Sequence, residues 1–334
     1  MNKNRAQTTK TIGEHKIIQI IQSHLTPMPN MPVAFGDDVS AVNLNQKLCA
    51  ILKTDMLVSK TDVPKKMTLF QAARKAIVMN ISDFASKGVQ PIAALVGLGL
   101  PRTVTQEDVK EIAEGLNTAA REYGAYIIGG DTGEASDLVI SVSLFGTAEK
   151  SKLMLRSGAK PGDTLAVTGF FGKSSSGLRL LLGNFRVSTD LRKELLKTVF
   201  LPKAQLAQGL ALSNCGAVSA SIDSSDGLAW SLYEIGRLSS VGFIINRIPV
   251  AKEVLEFAEF NCLDAFELAL YGGEEYELVL TVKPEKWNVA VAAIEAVGGQ
   301  LLPIGKVTEG HEVFADVDGK KQVIEARGWE HFKR

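Results

Sequence analysis

Five short acidic motifs recur along the chain: GDD at Gly36 to Asp38, TD at Thr54 and Asp55, SD at Ser82 and Asp83, GGD at Gly129 to Asp131, and IDSSDG at Ile222 to Gly227. In each, an aspartate follows an apolar stretch or stands on a helical one beside a small residue. Taken singly, such a residue is a helix N-cap or an Asx turn, and for Asp226, which opens a helical stretch, the cap reading stays open beside a binding one. Taken together they raise a different question, because two carboxylates roughly 4 Å apart repel by about 4 kcal/mol at an effective dielectric of ~20. Converging aspartates need cations. Oxygen donors without His or Cys select a hard ion such as Mg2+, whose favoured further partner is phosphate. The neighbouring glycines would let backbone N–H groups approach that phosphate closely.

The elements that must carry these motifs are legible from periodicity. Glu14 to Leu25 has helical spacing, and TPMPNMP stops it and leads in extended form to AFGDDVSAV, a loop entering a strand. KLCAILKTDML reads as a strand ending at Asp55. TLFQAARKAIVMNISDFASKG reads as a helix with Ala72, Ala73, Ala76, Ile77, Ile81 and Phe84 on its apolar face and Asn80, Asp83 and Lys87 on the other. IAALVGLGL, AYIIGGDTG and LVISVSLFG follow as strands, with DVKEIAEGLNTAAREYG as a helix between the first two. The polar TAEKSKLMLRSGAKPGD then separates two halves, so the expected domains are 1–149 and 150–334. The second half alternates again, with strands at TLAVTG, AVSASID, GFIINRIPV, ELVLTV and LLPIGKV, and helices that include DGLAWSLYEIG and a stretch around Asn288 to Val297. The expected class is α/β or α+β.

Composition narrows the chemistry. The 334 residues carry 37 Lys+Arg and 37 Asp+Glu, so no global basic field draws the chain to nucleic acid or an anionic membrane. MNKNRAQTTK lacks an apolar core and no stretch is long enough to span a bilayer, so a cytoplasmic protein is expected. Cys49, Cys215 and Cys262 are scattered without CxxC spacing, and His15, His24, His311 and His331 lie near the two ends, which argues against a zinc site and a serine triad. TGFFGKSSSGL ends like a Walker A loop, but position 167, where its first glycine belongs, is Val167, so Lys173 reads as a surface lysine. ALYGGEEYELVLTV sets Glu274 and Glu275 in a glycine turn, either solvated acids or a second polar rim of the same cleft.

GDDVSAV, KTDMLV, KAIVMNISDFASKGVQP, IIGGDTG, RSGAKPGD, IDSSDGL, LYGGEEYEL and GWEHF occur in that order along the chain. The ordered set resembles the thiamine-monophosphate kinases, members of the superfamily of aminoimidazole ribonucleotide synthetase and selenophosphate synthetase. The resemblance implies an N-terminal domain that forms a β-barrel across a homodimer and a C-terminal α/β domain. It further implies transfer of the γ-phosphoryl of ATP to thiamine monophosphate with several Mg2+ ions. Carried onto this sequence, it implies that Asp38, Thr54, Asp55, Asp83, Asp131, Asp223 and Asp226 bind metal and that Asp83, Asp131 and Asp223 are catalytic. Gly130, Asp131, Arg156 and Ser225 would meet ATP, and Asp62, Glu274 and Trp329 the thiamine phosphate. Physical sense accompanies this, since the Arg156 fork suits phosphate oxygens and the Trp329 ring suits a cationic thiazolium. Two departures stand out: Lys53 occupies a position where many members carry a hydroxyl, and Asp62 stands where a histidine is common. Asp62 reads equally as a substrate contact or as a turn residue in KTDVP. Selenophosphate synthetase chemistry would need a reactive Cys before Cys49, and none is present. An aminoimidazole ribonucleotide synthetase-like enzyme, a non-catalytic nucleotide or metal sensor, and a Mg2+-dependent phosphatase are the alternatives.

Overall fold

The longest helix, Leu69–Lys87, is fixed at both ends by its sequence. Thr68 accepts the Gln71 N–H through its hydroxyl while the Gln71 side chain accepts the Thr68 N–H, a reciprocal cap. At the other end Gly88 takes the left-handed conformation (φ 66°) that stops a helix. From Ala72 to Lys87 every residue except Met79 is buried. The apolar face packs into the core of the first half, and the face bearing Asn80, Asp83 and Lys87 is covered by the strand Leu48–Val58, the Asp37–Asp38 loop and the second half of the chain instead of water. In this computed structural model, which describes residues 8–317 and 319–332, that helix lies between two sheets. Most of MNKNRAQTTK, residues 1–7, falls outside the described residues.

The first sheet contains β1 (Ser40–Asn43), β2 (Leu48–Val58), β3 (Pro91–Leu100), β4 (Tyr126–Glu134) and β5 (Val139–Glu149), in the order β1-β2-β5-β3-β4. Only β3 and β4 run parallel, joined by the helix Gln106–Glu122; the other pairs are antiparallel. The second sheet contains β6 (Thr164–Val167), β7 (Val218–Asp223), β8 (Gly242–Ile245), β9 (Leu278–Val282), β10 (Leu302–Thr308), β11 (Val313–Val317) and β12 (Lys320–Val323), in the order β12-β11-β8-β10-β6-β9-β7. The mixed α/β class is therefore as expected. Strand β2 runs three residues past Asp55, because it stays paired with β5 as far as Val58↔Val139. The sequence reading left the helices Lys252–Asn261 and Ala265–Tyr271, and strands β11 and β12, unassigned. Among the described residues no helix is long and apolar enough to cross a membrane.

Candidate active site

Asp37 and Asp38 are presented by the loop before β1, where Gly36 holds a φ of 92° that a side chain would resist. Lys87, at the end of the long helix and fully buried, places its ammonium 2.8 Å from Asp37 and 2.7 Å from Asp38, and donates to the Ser221 carbonyl at 2.7 Å. Arg156 donates through Nε to Asp38 at 2.7 Å, with a second bond from its terminal nitrogen, and Ser86 donates to Asp38 at 2.7 Å. Burial alone would raise the Asp38 pKa; Arg156 and Lys87 outweigh it and hold the carboxyl well below the usual range. Two acids and two cations balance here.

The balance fails a few ångströms away. Oxygens of Asp38, Asp83 and Asp223 all lie within 4.8 Å of one another, and all three residues are buried. Asp83 comes from the long helix, one residue after Ser82, whose hydroxyl donates to Asp223 at 2.6 Å. Asp223 ends β7. Asp55 approaches from β2, its N–H held by the Asn80 side chain at 2.9 Å. Lys53, two residues earlier on the same face of β2, lies 2.9 Å from Asp83 and 3.1 Å from Asp55. Burial lifts the Asp83 carboxyl well above its ordinary range in spite of Lys53, with Asp55, Asp223 and Asp38 adding to the rise. Burial, then the charge on Asp38, pushes Asp223 up to about 6; burial, then Asp223 and Glu14, pushes Asp226 up to about 7. A set of buried hard oxygens with excess negative charge fits a divalent cation.

A second wall is built by the turn before β9. Glu274 donates its N–H to the Ser225 carbonyl at 2.7 Å, and Tyr276 to the Ser224 carbonyl at 3.0 Å, which pins this turn to the loop carrying Asp226. Glu274 has a positive φ of 63°, and its carboxylate meets the buried Lys75 ammonium at 2.5 Å. Lys75 also donates to the Asp62 carbonyl at 2.9 Å, so Asp62 and Glu274 share one cation-lined corner. The Asp62 carboxylate accepts the Val58 N–H at 2.7 Å; the turn role is therefore present. Trp329 is anchored by its backbone N–H to the Asp226 carbonyl at 2.9 Å, and the residue is 40% exposed. Glu275 accepts N–H bonds from Gly172 and Ser174, and burial pushes its carboxyl up to about 8. Beyond the turn lies a cavity of about 690 Å³ lined by Glu274, Glu275, Glu277, Lys173, Lys197 and Lys203, among others. Lys173 is tied to Glu253 at 3.0 Å, in keeping with the rejected phosphate loop.

The chain thus gathers Asp38, Asp55, Asp83, Asp223 and Asp226, with Arg156 against Asp38 and with Ser225, Glu274 and Trp329 around the Asp226 loop. It does not bring Thr54 or Asp131 to them. The Thr54 hydroxyl accepts from Ser143 on the open face of the first sheet, the reverse of the face bearing Lys53 and Asp55. Asp131 pairs in register with Gly97, and Gly97 with Ser141, which puts it in that open-face row on the edge strand β4. Gly130 leaves no space for a side chain, since a Cβ would fall 1.9 Å from the Val96 carbonyl oxygen. The sequence reading gave no role to Lys75, Ser82 or Ser86; the i, i+4 spacing of Ser82 and Ser86 beside Asp83 and Lys87 on one helix was the available signal, and Lys75 had none.

Comparison with known proteins identifies the family. Residues 36–148 match the AIR synthase related protein N-terminal domain and residues 160–318 the corresponding C-terminal domain. A thiamine-monophosphate kinase of Nitrosopumilus maritimus is 35% identical over 322 residues, covering 96% of this chain and 99% of the relative. This chain belongs to the thiamine-monophosphate kinase family. Its Pyrococcus horikoshii relative is 37% identical over 302 residues, covering 90% of this chain and 91% of that one. A solved structure of the family, AaThiL complexed with AMPPCP and TMP, superimposes with a TM-score of 0.85 at 29% identity, covering 98% of this chain and all of that one.

Proposed function

We propose that the protein transfers the γ-phosphoryl of ATP to thiamine monophosphate, giving thiamine diphosphate and ADP, with Mg2+ held by Asp38, Asp55, Asp83, Asp223 and Asp226. The observation that carries this reading is the convergence of three buried carboxylates on one point, in a family whose solved member holds AMPPCP, an ATP analogue, and TMP. When bound, Mg2+ would neutralise the two polyanions as they align. The chain's own residues do the rest. Arg156 is the phosphate fork: its guanidinium screens Asp38 here and becomes available to phosphate oxygens once that carboxylate is otherwise engaged. Ser225 and the glycine turn would line the nucleotide side, while Glu274, Trp329 and the Asp62 corner would receive the thiamine phosphate. The attacking phosphate, with a second pKa of about 6, is already anionic at neutral pH, so the reaction requires no general base.

The 1–149 domain would supply Asp38, Asp55, Asp83 and the Asp62 corner, and the 150–334 domain Asp223, Asp226, Glu274 and Trp329. We propose as well that two copies pair through the open face of the first sheet. Leu52, Met56, Leu95 and Phe145 are exposed there in one register, an apolar area unusual for a free surface. Gly130, Asp131 and Thr54 lie on or beside that face, so pairing would bring these remaining residues to the cleft of a second copy. The deciding experiment is mass analysis of the protein incubated with ATP, thiamine monophosphate and Mg2+. Thiamine diphosphate and ADP in equal amounts are expected. Inorganic phosphate without thiamine diphosphate would mean a phosphatase, and no ADP at all a non-catalytic binder.

A further inference from the structure

Strand β2 alternates so that Ile51, Lys53, Asp55 and Leu57 face the long helix, and the two apolar members of that row are fully buried. A lysine there lies among core side chains and needs a partner for its charge. It has two, Asp83 at 2.9 Å and Asp55 at 3.1 Å, so its ammonium bridges the carboxylates of two different elements. Lys87 and Arg156 are committed to Asp37 and Asp38. Lys53 is therefore the cation that serves the other end of the cluster. The group of three mutually close carboxylates consists of Asp38, Asp83 and Asp223 and leaves Asp55 out, which is the side of Asp83 that Lys53 occupies.

We propose that Lys53 is a built-in cation that fills the bridging position between Asp55 and Asp83, so that this chain holds one divalent ion fewer than its carboxylates could bind. The proposal rests on the kinase reading, in which these aspartates hold Mg2+. An ammonium and a divalent ion cannot both sit within bonding distance of the same two oxygens, because like charges at that separation repel strongly. The ions that do bind are held on the Asp38, Asp83 and Asp223 side, and Lys53 acts as a positioning residue that keeps Asp55 and Asp83 together before nucleotide arrives.

The test counts ions. Full-length wild type, Lys53→Met and Lys53→Arg are titrated with Mn2+ without nucleotide, with free Mn2+ read by electron paramagnetic resonance. Lys53→Met is expected to bind one ion more per chain than wild type, and Lys53→Arg the same number as wild type. Equal numbers in wild type and Lys53→Met, or fewer in Lys53→Met, would overturn the proposal. Should Lys53→Met fail to fold, Mn2+-soaked wild-type crystals decide by anomalous scattering. Ions beside Asp223 with none bridging Asp55 and Asp83 are the expected result, whereas an ion bridging that pair with Lys53 swung away sinks the proposal and leaves the kinase reading standing. No ion anywhere in the cluster would sink both.

Discussion

Replacing Asp83 by Asn keeps shape and removes one charge, so it separates structural from metal-binding roles. In the metal-free protein the Asp83 carboxylate is attracted to Lys53 at 2.9 Å by about 6 kcal/mol at an effective dielectric of ~20. It is repelled by Asp38 and Asp223, each within 4.8 Å, by at least about 3.5 kcal/mol apiece on the same scale, and further by Asp55 across their shared Lys53. The two terms cancel, and the desolvation cost of a buried carboxylate remains. Lys53 keeps Asp55 in the variant. Asp83→Asn should therefore leave metal-free stability unchanged or raise it by up to ~2 kcal/mol. Its effect on Mg2+ is of another size. Loss of an oxygen ligand should weaken binding at least ~100-fold, since even the partners that merely orient ligands are worth 10- to 100-fold. Urea unfolding with and without Mg2+ reads both quantities. At a Mg2+ concentration ~100 times the wild-type dissociation constant, wild type should gain about 2.7 kcal/mol and the variant only about 0.4 kcal/mol. Turnover should fall at least in proportion. A variant destabilised by 3 to 5 kcal/mol without metal, yet with the wild-type Mg2+ increment, would show that the Lys53–Asp83 pair is structural and refute this account.

Four further outcomes are expected. Mg2+ requires Asp223 and Asp226 ionised, and their pKa values near 6 and 7 mean that Mg2+ affinity should be flat above pH 8 and fall as pH drops through 7 and 6, by up to ~100-fold per unit below pH 6. Calorimetry in buffers of different ionisation enthalpy would detect the released protons, and their absence would count against these aspartates as ligands. Because the folded-state values lie above the unfolded ones, the folded protein carries extra protons between about pH 4 and pH 7, and these groups' contribution to metal-free stability declines as pH rises through that window. The pH slope of the melting temperature should therefore flatten in Asp226→Asn. Lys87→Met should cost about 3 to 5 kcal/mol in urea unfolding, because it strips the buried Asp37 and Asp38 of the ammonium they share. Trp329→Ala should raise the KM for thiamine monophosphate about tenfold and leave that for ATP unchanged, as the loss of a cation–π face predicts; equal effects on both substrates would instead point to a collapsed Asp226 loop.

What the sequence could reveal depended on the range of the interaction. The long helix was legible because its apolar face repeats at helical spacing and Thr68 and Gln71 form a local cap. Its other face was read as polar, and nothing local says that Asn80, Asp83 and Lys87 are buried; β2 and the Asp37–Asp38 loop cover them from one side, and β7 with the helix Leu206–Cys215, arriving from more than a hundred residues away, packs on the helix from the other half of the chain. The same distinction runs through the site. Five separated Asp motifs raised the prospect of a common metal, yet which of them meet is a question of sheet faces. Thr54 and Asp55 are adjacent in sequence and point to opposite sides of β2, so a motif that reads as one unit is divided by the pleat, one member to the cluster and the other to the open face. Lys53 follows from the same alternation. At two residues before Asp55 it must share that residue's face, and a cation forced onto the acidic side of a strand is either a defect or a counter-ion. Its two short contacts make it the counter-ion, and they tie the electrostatic balance of the cleft to a position that motif matching passes over as a mismatch.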